Sequence, residues 1–527
     1  MALTTPSIEL TRRADRTEDD YTARWIAAVA ALVSIAAFAY YSSIGAILLY
    51  KDSISHMEIA RRLVDSPTPG FGQLGGVWLP LPHLLSAPVA WIDSLYYSGF
   101  AGSFVSMISY VFTSVLLYKI TLGLSGQKLA GIVAAAVFMA NPNVLYLQST
   151  PMTEILLFAC ITGMIYGTQR WIQTDQSKYL VLAGIAGFLG TLTRYEAWVM
   201  LAAMFAVVVY ACWRKGYQYR RLEGTVLAFL YVSALGIVGW LMWNALIFGN
   251  PFYFQNGEYA KPSLWVDEGE QAVGNWWVAL QTYFYAVTEN LWMPIVILLA
   301  VGVIVMIARE RLAIPTLPAL SLMVLFPFFV FALHEGMRPL HVVQVTNSVY
   351  NVRFGLPMVL LAAISIGYLV GAFQMRRNLL KSVAAACLAL AGVTTLTGVA
   401  SDENVITLKE AIAENTSGYS QASDEASEYL GENFTGGTVL MESFGNEMVL
   451  FNAEISPRHL YEGSYELWDP ALEHPASNDI QWIVSRYSTK YSTQPDQVHQ
   501  ALHGTDRLNE YELVFENEGY RIYRERA

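Results

Sequence analysis

The chain has 527 residues, of which 54% are hydrophobic and 14% charged, and its formal net charge is −11. Because a soluble domain carries about 25% charged residues, this composition excludes a soluble globular protein and indicates an integral membrane protein. The acidic balance gives no reason to expect nucleic acid as a partner. Three cysteines fall within apolar runs, so neither a disulfide framework nor a metal-binding cysteine spacing is expected.

Long apolar runs follow one another along residues 25–399. A hydrocarbon core about 30 Å thick needs about 20 apolar residues per helix, so we expect about eleven membrane-spanning helices. The runs are Trp25–Tyr50, Phe100–Ile120, Leu129–Leu147, Ile155–Trp171, Tyr179–Leu192, Ala197–Trp213, Val226–Phe248, Leu291–Ile307, Pro315–Leu333, Gly355–Phe373 and Leu379–Val399. The first run is too long for a signal-peptide core and is expected to remain as an anchor.

Basic residues are distributed unevenly between the two ends of these runs. One end has Arg12, Arg13, Arg16, Arg24, Lys128, Arg170, Lys178, Arg214, Lys215, Arg220, Arg221, Arg309, Arg311, Arg376, Arg377 and Lys381. The other end has Lys51, Arg61, Arg62, Arg194, Lys261, Arg338 and Arg353. Since short cytoplasmic loops are enriched in Lys and Arg, we expect a cytoplasmic N-terminus. An odd number of spans then places the C-terminus outside.

Composition divides the chain into three parts. We expect a polar cytoplasmic tail at residues 1–24, a transmembrane domain at 25–400 with its first extracytoplasmic loop at 51–99, and a soluble extracytoplasmic domain at 401–527. The last part shows a helical pattern and strand-like alternation at Asp424–Asn433, Thr438–Glu442, Gln481–Ser485, Tyr511–Phe515 and Tyr520–Tyr523. These patterns predict a small α/β domain after an α-helical polytopic membrane domain.

The first long loop opens with a carboxylate. Asp52 follows the first apolar run by two residues and begins an amphipathic stretch that ends at Arg62. One helical face of this stretch has Ile54, Met57, Ala60, Arg61 and Val64. We expect a helix along the bilayer surface, with Arg61 free to extend toward lipid headgroups. The rigid segment from Trp78 to His83, which contains two prolines, follows in the same loop.

Other charged residues stand near the outer ends of later runs. Glu154 precedes the fourth run, Arg194 and Glu196 precede the sixth, and Arg353 precedes the tenth. By the expected topology they all lie on the same side of the membrane as Asp52. This agreement in sidedness predicts a functional site there.

These residues and their order resemble the C-type glycosyltransferase superfamily (GT-C). Within it, the chain resembles the bacterial members that are similar to protein O-mannosyltransferases and lipid A aminoarabinose transferases. The resemblance covers residues 25 to about 400 and implies a GT-C fold. It also implies a membrane glycosyltransferase that uses a polyprenyl-phosphate-linked sugar as donor and a lipid, glycan or protein hydroxyl as acceptor. Bacterial relatives imply the plasma membrane as its location.

The resemblance implies that Asp52 is a general base that takes the acceptor proton, and that transfer inverts the anomeric carbon. Many relatives have a second acid directly after this aspartate, whereas this chain has Ser53. The nearest alternatives are His56, about one helical turn on, and Glu58. No cofactor is certain, and a divalent cation held by Asp52 and His56 stays an open alternative.

The chemistry of such a transfer also needs cations near the departing phosphate. Arg194 and Arg353 fit this need, because a guanidinium binds phosphate oxygens bidentately and stays charged. Glu154 and Glu196 are further substrate-site candidates, and Trp78 and His83 are candidates for contact with the acceptor or the phosphate.

Each residue also has a structural interpretation. Asp52 could cap its helix, His56 could be a structural histidine, and Glu58 could simply face water. The acids could stabilise helix N-termini, and the arginines could pair with those acids or with lipid phosphates. At the level of function, a transporter or lipid flippase is the main alternative, although such proteins place ionisable residues near the bilayer midplane. A non-catalytic assembly or sensor protein is the third hypothesis.

Overall fold

The structure is a computed structural model, and it describes residues 21–264, 266, 269–372, 385–387, 392–393, 404–487 and 495–526. The predicted run Leu379–Val399 lies largely outside these residues, as does most of the predicted tail at 1–24.

Eight helical segments in the described part of the chain are long and apolar enough to cross a membrane. They are Tyr21–Ser43, Phe100–Ser125, Glu154–Thr174, Glu196–Arg214, Tyr219–Phe248, Met293–Glu310, Ile314–His334 and Val352–Ala372. Three shorter apolar helices are Leu81–Ala90, Lys128–Met139 and Ser177–Thr191. A polytopic helical membrane protein is thereby confirmed, while the number of spans and the orientation stay predictions.

Two of the predicted runs end differently in the structure. The first helix stops at Ser43, so the last residues of the run Trp25–Tyr50 are not part of it. The run Leu129–Leu147 is interrupted after Met139, and a separate helix spans Pro142–Leu147. The Asn141 side chain accepts a hydrogen bond from the backbone N of Val144, and Pro142 occupies the first turn. This N-cap and proline start a new helix, a break that hydropathy alone does not reveal.

The C-terminal region contains a four-stranded sheet, as predicted. The strands are β1 (Thr438–Leu440), β2 (Ile480–Arg486), β3 (Tyr511–Glu516) and β4 (Tyr520–Glu525), in the order β1-β2-β4-β3. Strands β1 and β2 are parallel, and the other two pairings are antiparallel. Helices in this region are Ile406–Asn415, Gly418–Asn433, Glu447–Asn452, Trp468–Glu473 and Gln497–Leu502.

Alternating residues of the sheet form a core on each face. Val439, Trp482 and Val484 pack with one cluster, whereas Leu440 and Ile483 pack with the other. Because successive side chains of a strand point to opposite faces, this alternation explains why short strand-like runs were recognisable in the sequence.

The chain divides into two compact units by internal contacts. The membrane unit comprises Met1–Ile44, Leu79–Leu81 and Phe104–Glu410, and the sheet unit comprises Gly45–Trp78, Pro82–Ser103 and Ala411–Ala527. The first loop therefore belongs to the same unit as the sheet except for Leu79–Leu81, whereas the composition assigned it to the membrane domain. The division at 24 and 400 stays a prediction.

The first-loop helix, Lys51–Arg62, packs within the sheet unit. Its Ile54 and Met57 form a hydrophobic cluster with Met448 and Phe451. Arg61 is buried, and its Nη2 lies 2.8 Å from Oδ2 of Asp65 and 2.7 Å from Oδ1 of Asp93. The expectation that Arg61 is free to reach headgroups is therefore wrong. An amphipathic pattern is the same for a helix that meets lipid and for one that meets protein.

Candidate functional site

Asp52 lies in the first turn of the first-loop helix and is partly exposed. The N-cap of this helix is Tyr50, so the structural alternative of Asp52 as the capping residue does not hold. A carboxylate in the first turn still interacts favourably with the helix dipole. The position leaves Asp52 at the start of the helix, with His56 one turn further along the same side.

Three ring side chains of the first loop lie close together. Nδ1 of His56 lies 2.9 Å from Nε2 of His83, so one of these nitrogens donates a hydrogen bond to the other. The indole of Trp78 lies 4.3 Å from the His56 ring, measured between centroids. Burial lowers the pKa of His83 well below its usual value, and the neighbouring His56 and Arg62 lower it further. His83 is therefore a neutral imidazole at physiological pH.

Glu58 is buried in the interior of the sheet unit, and the alternative that it faces water is wrong. Its Oε2 lies 4.0 Å from Nη2 of Arg62, whose Nη1 donates to Oγ of Ser443. Burial raises the pKa of Glu58 to about 8, although Arg62 partly opposes this effect. Glu58 is thus a neutral acid near pH 7. Its helical position, six residues after Asp52, places it on a different face.

A bound metal ion was an open alternative at Asp52 and His56. Within the described ranges, no group of three or more His, Cys, Asp or Glu side chains is arranged to hold one. No step below depends on a metal.

The other predicted site residues meet in a carboxylate–guanidinium cluster of the membrane unit. Glu154 and Glu196 each begin a spanning helix. Nη1 of Arg194 lies 3.0 Å from Oε1 of Glu154, and its Nη2 lies 2.9 Å from Oε1 of Glu196. Arg194 also donates to Oγ1 of Thr153. The structure thus brings together residues that are about 40 positions apart in sequence.

Arg353 joins the same cluster from a short 3-10 helix, Val352–Gly355. Its Nε lies 3.3 Å from Oε1 of Glu154, so Glu154 is located between two guanidiniums. The aromatic ring of Phe354 is close to both cations, 5.7 Å from Cζ of Arg194 and 5.6 Å from Cζ of Arg353. Arg194 keeps an 18% exposed side chain, whereas that of Arg353 is 6% exposed.

The backbone around Arg353 is held by its neighbours. Nδ2 of Asn290 donates a hydrogen bond to the carbonyl of Val352 at 2.7 Å. The hydroxyl of Tyr283 donates one to the carbonyl of Phe354 at 3.2 Å. A Cβ on Gly355 would lie 2.4 Å from the backbone of Ala286, closer than real Cβ contacts allow. Only glycine permits this approach, so the helix Trp276–Leu291 fixes the position of Arg353.

Sequence reasoning missed a fifth member of the cluster, Glu410. Its Oε1 accepts a hydrogen bond from Nη1 of Arg353 at 2.5 Å, and its Oε2 accepts one from the backbone N of Arg353 at 3.3 Å. Glu410 follows Thr407 by three residues and Ile406 by four, all of them buried. An acid on the apolar face of a helix was the available signal. It was overlooked because Glu410 lies in the segment predicted as soluble.

The site residues therefore fall into two groups. Glu154, Arg194, Glu196 and Arg353 form one cluster with Glu410, and Asp52, His56, Glu58, Trp78 and His83 belong to the sheet unit.

Comparisons with known proteins agree with the predicted resemblance. Residues 92–243 match the family described as dolichyl-phosphate-mannose-protein mannosyltransferase. The structure of ArnT from Cupriavidus metallidurans bound to undecaprenyl phosphate is similar with a TM-score of 0.53 and 12% identity, covering 93% of this chain and 97% of that one. Its apo form is similar with a TM-score of 0.52 and 12% identity, covering 89% and 92%. No protein with a curated function matches by sequence.

These findings confirm the predicted resemblance to the GT-C superfamily. The chain is an integral membrane protein whose fold is that of GT-C glycosyltransferases, with a small C-terminal sheet. At 12% identity the structural similarity concerns the fold alone.

Proposed function

We propose that the protein transfers a sugar from a polyprenyl-phosphate carrier to an acceptor hydroxyl on the extracytoplasmic side of the plasma membrane. The observation that carries this proposal is the anion site at Arg353, where a guanidinium and a backbone N–H both donate to one carboxylate. Such a pair of donors suits a phosphate equally well. The fold is one for which a phosphate lipid is a known ligand, because the similar ArnT structure is described as bound to undecaprenyl phosphate.

In this proposal Arg353 and Arg194 bind the phosphate of the donor. As the bond between the anomeric carbon and the phosphate oxygen breaks, the electron pair stays with the leaving polyprenyl phosphate. Two guanidiniums stabilise the charge that develops there, an effect that is strong in a site shielded from water. Glu154 and Glu196 hold both guanidiniums in place through the contacts described above.

Asp52 is the general base of the proposed reaction. It accepts the proton of the acceptor hydroxyl while the hydroxyl oxygen forms its bond to the anomeric carbon, and attack opposite to the leaving group inverts that carbon. Partial exposure of Asp52 suits a group that must meet a substrate. A general base contributes about 10² to 10⁴ in rate. We assign His56, Trp78 and His83 to the acceptor side, as a ring surface with one neutral imidazole.

The orientation of the proposed site follows from the uneven distribution of basic residues, which predicts a cytoplasmic N-terminus and an extracytoplasmic Asp52. A protease-accessibility or cysteine-labelling experiment at residue 258, an exposed loop position, tests this orientation in inverted membrane vesicles.

The activity is tested by incubating purified protein with a panel of polyprenyl-phosphate sugars and measuring released polyprenyl phosphate. We expect release with at least one donor, and loss of release in Asp52→Asn at unchanged expression. Glu428→Gln is the control, because it removes an exposed carboxylate from the helix Gly418–Asn433. Movement of a lipid across the membrane without any sugar transfer would instead support the transporter or flippase hypothesis.

A further inference from the structure

The contact between Glu410 and Arg353 is a carboxylate bound in a site shaped for an anion. Both oxygens of Glu410 accept hydrogen bonds from Arg353, one from the guanidinium and one from the backbone N–H that opens the 3-10 helix. Phosphate oxygens accept hydrogen bonds from the same two kinds of donor. A phosphate on Arg353 and the Glu410 carboxylate therefore require the same donors.

Two carboxylates contact Arg353, but they are held unequally. Glu154 lies between Arg353 and Arg194, so two guanidiniums retain it. In the described part of the chain, Glu410 accepts hydrogen bonds from Arg353 alone. Burial raises the pKa of Glu410 even beside this cation, which means that its charged form is held at a desolvation cost. Of the two acids, Glu410 is the one that an incoming anion can replace.

Within the membrane unit, Thr407 also holds the segment that carries Glu410 through a polar contact. The backbone N and Oγ1 of Thr407 both donate to Oδ1 of Asn143, at 3.1 and 3.0 Å. Nδ2 of Asn143 in turn donates to the carbonyl of Asn290, whose side chain holds the backbone beside Arg353. Val405 and Leu408 are buried alongside. The segment is thus attached at Thr407 and at Glu410, one helical turn apart.

We propose that Glu410 occupies the phosphate position on Arg353 while the donor site is empty, and that the phosphate of the donor lipid displaces it. This inference rests on the proposed function and concerns the regulation of the same site. Without substrate, Glu410 keeps Nη1 and the backbone N–H of Arg353 hydrogen-bonded, because a buried donor without an acceptor is costly. It also makes the affinity for phosphate lipids lower than the two arginines alone would give, since each ligand must first displace the carboxylate.

The test measures binding of undecaprenyl phosphate to purified full-length protein by intrinsic fluorescence or calorimetry. Glu410→Gln keeps the shape of the side chain but removes its charge, and we expect affinity to rise about tenfold or more, which corresponds to about 1.4 kcal/mol. Thr407→Val removes the side-chain hydrogen bond of the second attachment, leaves the bond from the backbone N, and changes no charge, so we expect a smaller rise. Glu428→Gln has the same charge change on an exposed helix and should leave affinity unchanged.

If Glu410 has only a structural role, we expect a different result for Glu410→Gln. In that case Glu410→Gln lowers the melting temperature while affinity stays equal or falls, and this outcome overturns the inference. If Glu410→Gln does not fold, Thr407→Val decides: equal or weaker binding also overturns it. If the folded wild type binds no undecaprenyl phosphate and transfers no sugar, the proposed function itself fails. A further outcome is that the wild type binds undecaprenyl phosphate and transfers sugar while neither variant binds the lipid more tightly. That result refutes only the displacement of Glu410 and leaves the proposed function standing.

Discussion

Two buried carboxylates of the membrane unit and two of the sheet unit have different kinds of partner, although Asp65 of the sheet unit also pairs with an arginine. In the membrane unit, Glu154 and Glu196 are each within 3.0 Å of an arginine nitrogen. In the sheet unit, Glu462 and Asp496 accept backbone N–H bonds from Ser443 and Arg486 instead. Burial raises the pKa of both of these acids to about 7. The first arrangement pairs each acid with a cation, while the second contains acids that burial makes harder to ionise.

Carboxylates paired with arginines therefore bear on the binding of anions, whereas buried acids with a raised pKa bear on the pH dependence of stability. A guanidinium that already binds a carboxylate can exchange it for a phosphate, because the interaction is of the same kind. A neutral buried acid has no charge to offer, and its effect is on how folding depends on pH. Glu410 is intermediate, since it pairs with Arg353 although burial raises its pKa. This explains why it, and not Glu154, is the group that we expect to be displaced.

The largest expected effect is that of Asp52→Asn on transfer. We expect a fall in rate of about 10² to 10⁴, because the general base is lost, while binding of undecaprenyl phosphate stays unchanged, because Asp52 is not assigned to phosphate. Single-turnover transfer and lipid binding, measured on the same preparation, check both parts. Equal loss of binding and of transfer would contradict this division of roles.

Arg353→Met should destabilise the membrane unit, because it leaves Glu154 and Glu410 buried beside an apolar side chain. Removing one partner of a buried ion pair costs about 3 to 5 kcal/mol. The double variant Arg353→Met with Glu410→Gln should regain part of this loss, since Glu154 still pairs with Arg194 and the charge of Glu410, which had paired with Arg353, is gone. Thermal unfolding of the three proteins measures the recovery. No recovery in the double variant would mean that the two side chains are not energetically coupled.

The neutral acids of the sheet unit predict a pH dependence of stability. Glu58 has a pKa raised from 4.5 to about 8, so the folded state binds its proton more tightly than the unfolded state does. Its stabilising contribution is complete below pH 4.5 and is lost as the pH rises toward 8. We therefore expect Glu58→Gln to reduce the fall in melting temperature over this interval. Glu428→Gln should not change the slope, and a slope unchanged in both variants would argue against a protonated Glu58.

The smallest expected effect tests the backbone support of Arg353. Gly355→Ala places a methyl group against the backbone of Ala286 and should cost about 1 to 3 kcal/mol through forced displacement. Gly239→Ala is the matched control, because a Cβ added there would have no neighbouring atom within 4 Å. We also expect weaker phosphate binding in Gly355→Ala alone, measured as above. Equal behaviour of the two variants would show that the close approach at Gly355 is unimportant.

Much of the architecture could be predicted from local patterns. Hydropathy located the spanning helices, since each needs its own apolar residues. Period-two alternation located the strands after Thr438, and the order of Glu154, Arg194, Glu196 and Arg353 at helix starts predicted that they share one side. In the membrane unit these four residues do meet in one cluster. All of these features depend on residues close in sequence or on the simple geometry of helices in a bilayer.

The remaining features depend on which surfaces meet in the folded chain. Glu410 binds Arg353 across 57 residues, and the polar pattern around Glu410 does not indicate this partner. Glu58 and Arg61 lie on an amphipathic helix that is buried against protein, although its sequence suits a lipid surface equally well. The sequence by itself thus determined the helices, the strands and the types of charge. Tertiary structure decided which charges are paired, because pairing requires long-range packing that brings distant side chains within hydrogen-bonding distance.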